Sequence, residues 1–147
     1  MRQNQQIYAI KEISKAKVVA KRAIKQVMNE RNILANLNHP FIGNTHYAFQ
    51  DRDTLFLVTD FASGGDLRSY LNRKVPFTEE QTKFIIANLL VTLEYLHSQK
   101  VIHKDIKPEN ITFCQSGYIK LVDFGAARKS RSYNRFDSTG TPTYMAP

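Results

Sequence analysis

Apolar and polar residues alternate over positions 7–13 (IYAIKEI), the period of a strand with one buried face. From residue 18 the period lengthens. Val19, Ala23, Val27, Leu34 and Leu37 recur at helical spacing among strong helix formers, which predicts one helix over 18–37. Asn38-His39-Pro40 closes it, because the residue before proline is pushed out of the α region. Two more strands are predicted at 45–50 and 54–61, joined through Asp51-Arg52-Asp53. Ser63-Gly64-Gly65 reads as a flexible break between a strand-rich part and a helix-rich part.

Beyond that break, Asp66 is placed to cap a short helix running to residue 71. Thr78 with Gln81 forms a capping box for a long helix, whose buried face is expected to be Phe84, Ile85, Leu89, Leu93 and Leu96. Short apolar runs follow at 101–102 and 111–113, then a turn at Ser116-Gly117 and a strand over 118–122. From residue 128 to 138 the chain is basic, serine-rich and poor in aliphatics, so a mobile loop is expected there.

Composition narrows the class. A length of 147 residues allows about one domain, and 42% apolar with 23% charged residues excludes disorder throughout. The 21 Lys plus Arg against 13 Asp plus Glu give a net charge of +8. No nucleic-acid motif accompanies that charge, so nucleic acid is not expected as a partner. The lone Cys114 excludes an internal disulfide and a multi-cysteine zinc site. The opening MRQNQQ has no signal-type apolar core, and the longest apolar stretch is interrupted by Asn88, Thr92 and Glu94. No membrane span is therefore expected, and the expected location is cytoplasmic, with the nucleus as a second compartment.

The chemistry concentrates in His103-Lys104-Asp105-Ile106-Lys107-Pro108-Glu109-Asn110 and in Asp123-Phe124-Gly125, with Asp105 and Asp123 18 residues apart. Tyr8-Ala9-Ile10-Lys11 stands upstream, and GTPTYMAP ends the chain. Together these segments resemble the eukaryotic protein kinase family, in family order along essentially the whole chain. The pair Lys107 and Thr141 resembles serine/threonine kinases. Asn29-Glu30-Arg31, His39-Pro40-Phe41-Ile42 and Gly64-Gly65-Asp66-Leu67 resemble the AGC group.

Physical chemistry explains why such residue types suit phosphoryl transfer. A crowded triphosphate must be neutralised and aligned, and an ammonium on a strand such as Lys11 offers a fixed cation. Glu30, 19 residues on within the predicted helix, is placed to hold it by an ion pair. Hard cations prefer oxygen donors such as Asn110 and Asp123.

The resemblance implies the remaining roles. Asp105 would orient the substrate hydroxyl and accept its proton, Lys107 would stabilise charge on the transferred group, and Asn110 and Asp123 would hold magnesium. Thr59 would be the gatekeeper, and the backbone of Asp60 and Ala62 would bond adenine. Asp66 would take part in the nucleotide site and, with Glu109, read basic residues before the acceptor. His103 would pack in the core rather than move protons. The cofactors implied are ATP and Mg2+, and the partners are ATP and protein substrates.

The implied fold is α+β and kinase-like but incomplete: a partial strand-rich N-lobe over 1–60, a hinge at 61–65, and a partial helical C-lobe over 66–147 ending in the activation segment. The family's Gly-rich loop has no counterpart in the sequence, and the family continues beyond Pro147, so a domain cut at both ends is expected.

Other departures are local. Lys104 replaces the usual arginine, keeping the charge without the fork. Asp137 stands where AGC kinases place a phosphothreonine, and is expected to pair with Lys104; Ser138 and Thr139 are candidate phosphosites. Thr45 and Thr112 replace apolar residues and are expected to weaken packing around nucleotide. The function expected is a serine/threonine protein kinase. The alternative is a catalytically inactive kinase-like fragment serving as a binding or regulatory module.

Overall fold

The computed structural model describes residues 6–74, 76–130 and 140–145. Strand β1 (Tyr8–Ser14) leads into helix α1 (Lys15–Ala20) and helix α2 (Ile24–Leu34). The single helix expected over 18–37 is thus two. Ser14 caps α1, and the chain reverses at Lys21-Arg22-Ala23, where Arg22 adopts φ +52° and Ala23 N–H returns to the Val18 carbonyl at 2.9 Å. This left-handed turn ends α1 without glycine and rotates the face of the chain. Val18 is buried and Val19 is 62% exposed, so the expected core position is off by one.

Strands β2 (Thr45–Gln50) and β3 (Thr54–Asp60) complete an antiparallel sheet of order β1-β3-β2. Its register sets Lys11 opposite Leu57 on the central strand. A bulge interrupts β2 between Thr45 and Tyr47, at His46.

The next segment is stitched in place rather than a flexible break. Gly64 N–H donates to the Phe113 carbonyl and Phe113 N–H to the Gly65 carbonyl, both at 2.8 Å. A Cβ on Gly64 would lie 2.8 Å from Phe113, so only glycine admits this close approach. Helix α3 (Leu67–Asn72) follows, with Asp66 as its N-cap.

Helix α4 (Glu79–Ser98) opens with the expected capping box: Gln81 N–H to Thr78 Oγ1 at 3.1 Å, and Thr78 N–H to Gln81 Oε1 at 2.9 Å. Ile85, Leu89 and Leu96 face the core as expected, but Phe84 is 43% exposed and Leu93 only half-buried. Asn88 and Thr92 take the buried positions instead. Their side chains donate to the carbonyls four residues back, Phe84 and Asn88, both at 2.7 Å, which lowers the cost of burying them.

Among the described residues, four short strands shape the second half: β4 (Val101–Ile102), β5 (Ile111–Phe113), β6 (Ile119–Leu121) and β7 (Arg128–Lys129). β5 pairs with β6 and β4 with β7, both antiparallel. The start of the mobile loop expected over 128–138 is instead part of a strand, because Arg128 and Lys129 pair with Ile102 and Val101. Residues 131–138 of that expectation lie outside the described residues. Ile33, Leu37, Ile42, Leu96, Ile119 and Phe124 join α2, α4 and the β5–β6 hairpin in one core. No helix among the described residues is long and apolar enough to cross a membrane.

Candidate active site

Local structure brings the chemistry-bearing residues into two linked clusters. β1 carries Lys11, and α2 presents Glu30 from its buried side. Lys11 Nζ donates to Glu30 Oε1 at 2.7 Å and lies 3.5 Å from Asp123 Oδ1. Burial pulls the lysine's pKa down, but Glu30 and then Asp123 outweigh it, and the net effect holds the ammonium above its usual value. A cavity of about 300 Å³ is lined by Lys11, Glu30, Thr59, Val122, Asp123 and Phe124.

Asp123 itself sits in the left-handed region, φ +60°, which aspartate tolerates better than most residues. Its Oδ1 accepts from Gly125 N–H at 3.3 Å. A Cβ on Gly125 would crowd that same carboxylate oxygen at 3.3 Å. Phe124 is fully buried and packs edge-on to His103, 4.7 Å between centroids.

The second cluster surrounds Asp105. Lys107 Nζ lies 2.7 Å from Asp105 Oδ2, and Asn110 Nδ2 donates to the Asp105 carbonyl at 2.8 Å and to Oδ2 at 3.1 Å. Thr141 Oγ1 accepts from Lys107 at 2.8 Å and donates to Asp105 Oδ1 at 2.5 Å. Burial works to raise the Asp105 carboxyl, but the bonds from Lys107, Thr141 and Asn110 outweigh it and hold it below the usual range. The same pairing holds the Lys107 ammonium above its usual value. Asp105 is therefore anionic at neutral pH and a weak base, better suited to orienting a hydroxyl than to removing its proton early.

The hairpin couples the two clusters. Asn110 precedes β5 and Asp123 follows β6. Pairing of Ile111 with Leu121 brings Val122 N–H to the Asn110 carbonyl at 2.9 Å. With its amide nitrogen committed to Asp105, Asn110 has Oδ1 left as an oxygen donor, and Asp123, after β6, adds a carboxylate. Such a hard oxygen pair fits magnesium. His103 bridges behind them: its Nδ1 accepts from Asp105 N–H at 3.3 Å, and its Nε2 contacts the Val122 carbonyl at 3.2 Å.

Among the remaining sequence candidates, Thr59 lines the cavity, with its hydroxyl 3.4 Å from the Asp60 carbonyl. Asp60 N–H donates to the Asn44 carbonyl at 3.0 Å, and its carboxylate is held by His46 at 2.6 Å and Lys120 at 2.8 Å. Ala62 is half-buried in the segment after β3. The Asp66 carboxylate is turned to its helix: Oδ1 accepts from Ser69 N–H at 2.8 Å and Oδ2 from Ser69 Oγ at 2.9 Å. Thr45 Oγ1 is buried without a hydrogen-bond partner, and Thr112 Oγ1 donates to the Lys120 carbonyl at 3.0 Å.

Some site residues escaped sequence reasoning. Thr141 marked the kinase type but was given no place against Asp105. Gly140 positions it: with φ +140° and a Cβ that would fall 2.5 Å from the Lys104 carbonyl, only glycine fits. The expected pairing of Lys104 with Asp137 concerns a residue outside the described set, as do Ser138 and Thr139.

A family model of the protein kinase domain matches residues 1–147. A protein named as a probable serine/threonine-protein kinase from Dictyostelium discoideum is 42% identical over 145 residues, 97% of this chain and 32% of that protein. Ribosomal protein S6 kinase alpha-2 of Homo sapiens is 44% identical over 144 residues, 97% of this chain and 20% of that protein. Ribosomal protein S6 kinase alpha-1 of Rattus norvegicus is 43% identical over 146 residues, 98% of this chain and 20% of that protein. The chain thus spans between a fifth and a third of the length of these relatives.

Proposed function

We propose that this chain, which belongs to the protein kinase family, carries nucleotide- and acceptor-handling machinery of an AGC-like serine/threonine protein kinase. The observation that carries the reading is the pair of linked clusters: an ammonium held between Glu30 and Asp123, and a carboxylate held by Lys107, Thr141 and Asn110. Protein kinases use ATP and magnesium as a family.

In this reading Lys11 holds phosphate oxygens and Glu30 keeps it in place. Asp123 and the Asn110 Oδ1 hold magnesium. Thr59 and the backbone of Asp60 and Ala62 border the base. When bound, magnesium-ATP supplies the phosphoryl group and the divalent charge that neutralises it. Asp105 would orient the acceptor hydroxyl and take its proton as its oxygen bonds to the γ-phosphorus and the bond from that phosphorus to the departing ADP breaks. Lys107 lies close enough to offset negative charge there, and Thr141 fixes both side chains to each other. Its donated hydrogen bond leaves Asp105 Oδ2 for the acceptor, shared with Lys107 and Asn110.

In the same reading, basic residues before the acceptor of a protein substrate would meet Glu109, whose carboxylate Arg68 holds in this structure. Asp66 spends its carboxylate on the α3 cap, so a part for it in nucleotide or peptide binding requires it to leave Ser69. A cytoplasmic or nuclear place of action completes the reading.

The test is mass-spectrometric detection of phosphate on serine or threonine of a peptide library, after the full-length protein is incubated with magnesium-ATP. Incorporation by the wild type and a blank with Asp105→Ala supports the proposal. A folded wild type that transfers nothing contradicts it. That result would favour a non-catalytic binding module, the reading to which the unpartnered Thr45 hydroxyl lends weight.

A further inference from the structure

Arg68 on α3 reaches the loop that carries Asp105. Its Nε donates to Glu109 Oε1 at 2.8 Å. A second guanidinium N–H donates to the Tyr144 hydroxyl, and the guanidinium carbon lies 5.9 Å from the centre of the Tyr144 ring. Three stretches distant in sequence therefore meet at one cation: α3, the loop of Asp105 and Lys107, and the segment whose Thr141 touches Asp105.

Glu109 directly precedes Asn110 and lies two residues beyond Lys107. A carboxylate in that place, with nothing on it, selects a cationic partner by charge complementarity. Here the chain supplies the cation itself. The Arg68 bond holds the Glu109 carboxyl below its usual range, so the acid is fully ionised and paired at neutral pH. The neighbouring acid, Asp66, is taken up by Ser69.

The Arg68–Glu109 pair is solvent-screened, with side chains 33% and 43% exposed. Exposed pairs shift an equilibrium by no more than about fivefold. That places the contact where an incoming guanidinium or ammonium exchanges with it at a modest penalty, rather than being shut out.

We infer that Arg68 is a specificity-determining residue: an internal stand-in for a cationic substrate side chain, which occupies Glu109 and blunts selection of arginine or lysine near the acceptor. The inference rests on the kinase reading of the site. It makes the carboxylate a competed position, with selectivity set by the difference between two guanidinium contacts rather than by one.

The test measures peptide binding by fluorescence anisotropy on the full-length protein, so that it needs no turnover. Two labelled peptides differ only in arginine or alanine at the positions before the acceptor serine. In the wild type the two Kd values should be close. In Arg68→Ala, and in Arg68→Gln as a variant that keeps the side-chain stem, the arginine peptide should tighten about fivefold relative to the alanine peptide. Adding Glu109→Gln should cancel that gain, and Arg68→Lys should stay near the wild type. An unchanged ratio in both Arg68 variants overturns the inference. So does an equal shift for both peptides, which would make Arg68 only a tie to Tyr144, or a gain that survives Glu109→Gln. Failure of the kinase reading is separate: the wild type would transfer no phosphate to either peptide while the binding ratio stays measurable.

Discussion

Lys11 and Glu30 meet at 2.7 Å across nineteen positions of sequence, and their surroundings differ: the lysine side chain is 46% exposed, the glutamate side chain 6%. A buried acid thus anchors a cation that still faces the cavity. Lys11→Met removes that cation and strips Glu30 of its ion-pair partner. Phosphoryl transfer should be lost, and stability should fall by about 1–3 kcal/mol, the cost of leaving a buried acceptor short of its donor. Denaturant unfolding measures the second effect. A variant as stable as wild type would show that Glu30 is not anchored through Lys11. Because the folded lysine titrates above its usual 10.5, the pair's contribution is complete below that pH and lost as pH rises through the folded value.

Thr141 joins Asp105 and Lys107 through a single hydroxyl. Thr141→Val keeps the shape and removes the oxygen. Losing a hydrogen bond to a charged group costs about 1.5–3 kcal/mol, or about 10- to 100-fold in rate if it falls on the transition state. The expected result is a lower kcat with nucleotide KM little changed, and recovery in Thr141→Ser. Equal rates for the valine and serine variants would remove the hydroxyl from the account.

His103 carries a pH dependence whose sign can be worked out. Burial pulls its pKa below the usual 6.5, against the opposing pull of the Val122 carbonyl and the nearby acids. Its Nδ1 accepts from Asp105 N–H, so protonation there breaks a bond that orients the Asp105 loop. The unfolded chain binds the proton first, so stability should fall as pH drops below about 6.5 towards the folded value. His39 is also held low, by burial and by Lys120, and adds in the same direction. In His103→Gln the slope of melting temperature against pH should shrink. An unchanged slope would assign it elsewhere.

Lys120 closes a joint between β6 and the end of β3. Its Nζ lies 2.8 Å from Asp60 Oδ2 and donates to the carbonyls of Pro40 at 3.0 Å and Ile42 at 3.1 Å. The two side chains are 15% and 14% exposed. Lys120→Met should cost about 1–3 kcal/mol, because Asp60 then keeps only His46 and Asn44. Adding Asp60→Asn should cost less than the two single changes summed. Strict additivity in a denaturation cycle would contradict a coupled joint.

Much of the frame was legible because it is written in short-range patterns. Alternation marked β1 to within a residue, and the Thr78–Gln81 box marked the start of α4. What escaped depends on tertiary context. Arg22 takes a left-handed turn with no glycine to announce it, so α1 and α2 read as one helix. Asn88 Nδ2 and Thr92 Oγ1 donate back along the helix, although Asn88 Oδ1 stays buried without a partner, so polar residues sit where apolar ones were expected. Ser63-Gly64-Gly65 looked loose because its two anchoring bonds come from Phe113. In the site, nearby motif residues were legible as candidates, but the Arg68–Glu109 and Asp60–Lys120 pairs span 41 and 60 positions with no motif to link them.

The most direct test of the central claim is transfer of the γ-phosphoryl group from ATP to a serine peptide, measured with the full-length protein and its Asp123→Ala variant in magnesium. The account predicts steady transfer by the wild type and none above background by a variant that remains folded. Equal transfer by both would contradict it, because the carboxylate beside Lys11 would then have no part in handling the nucleotide.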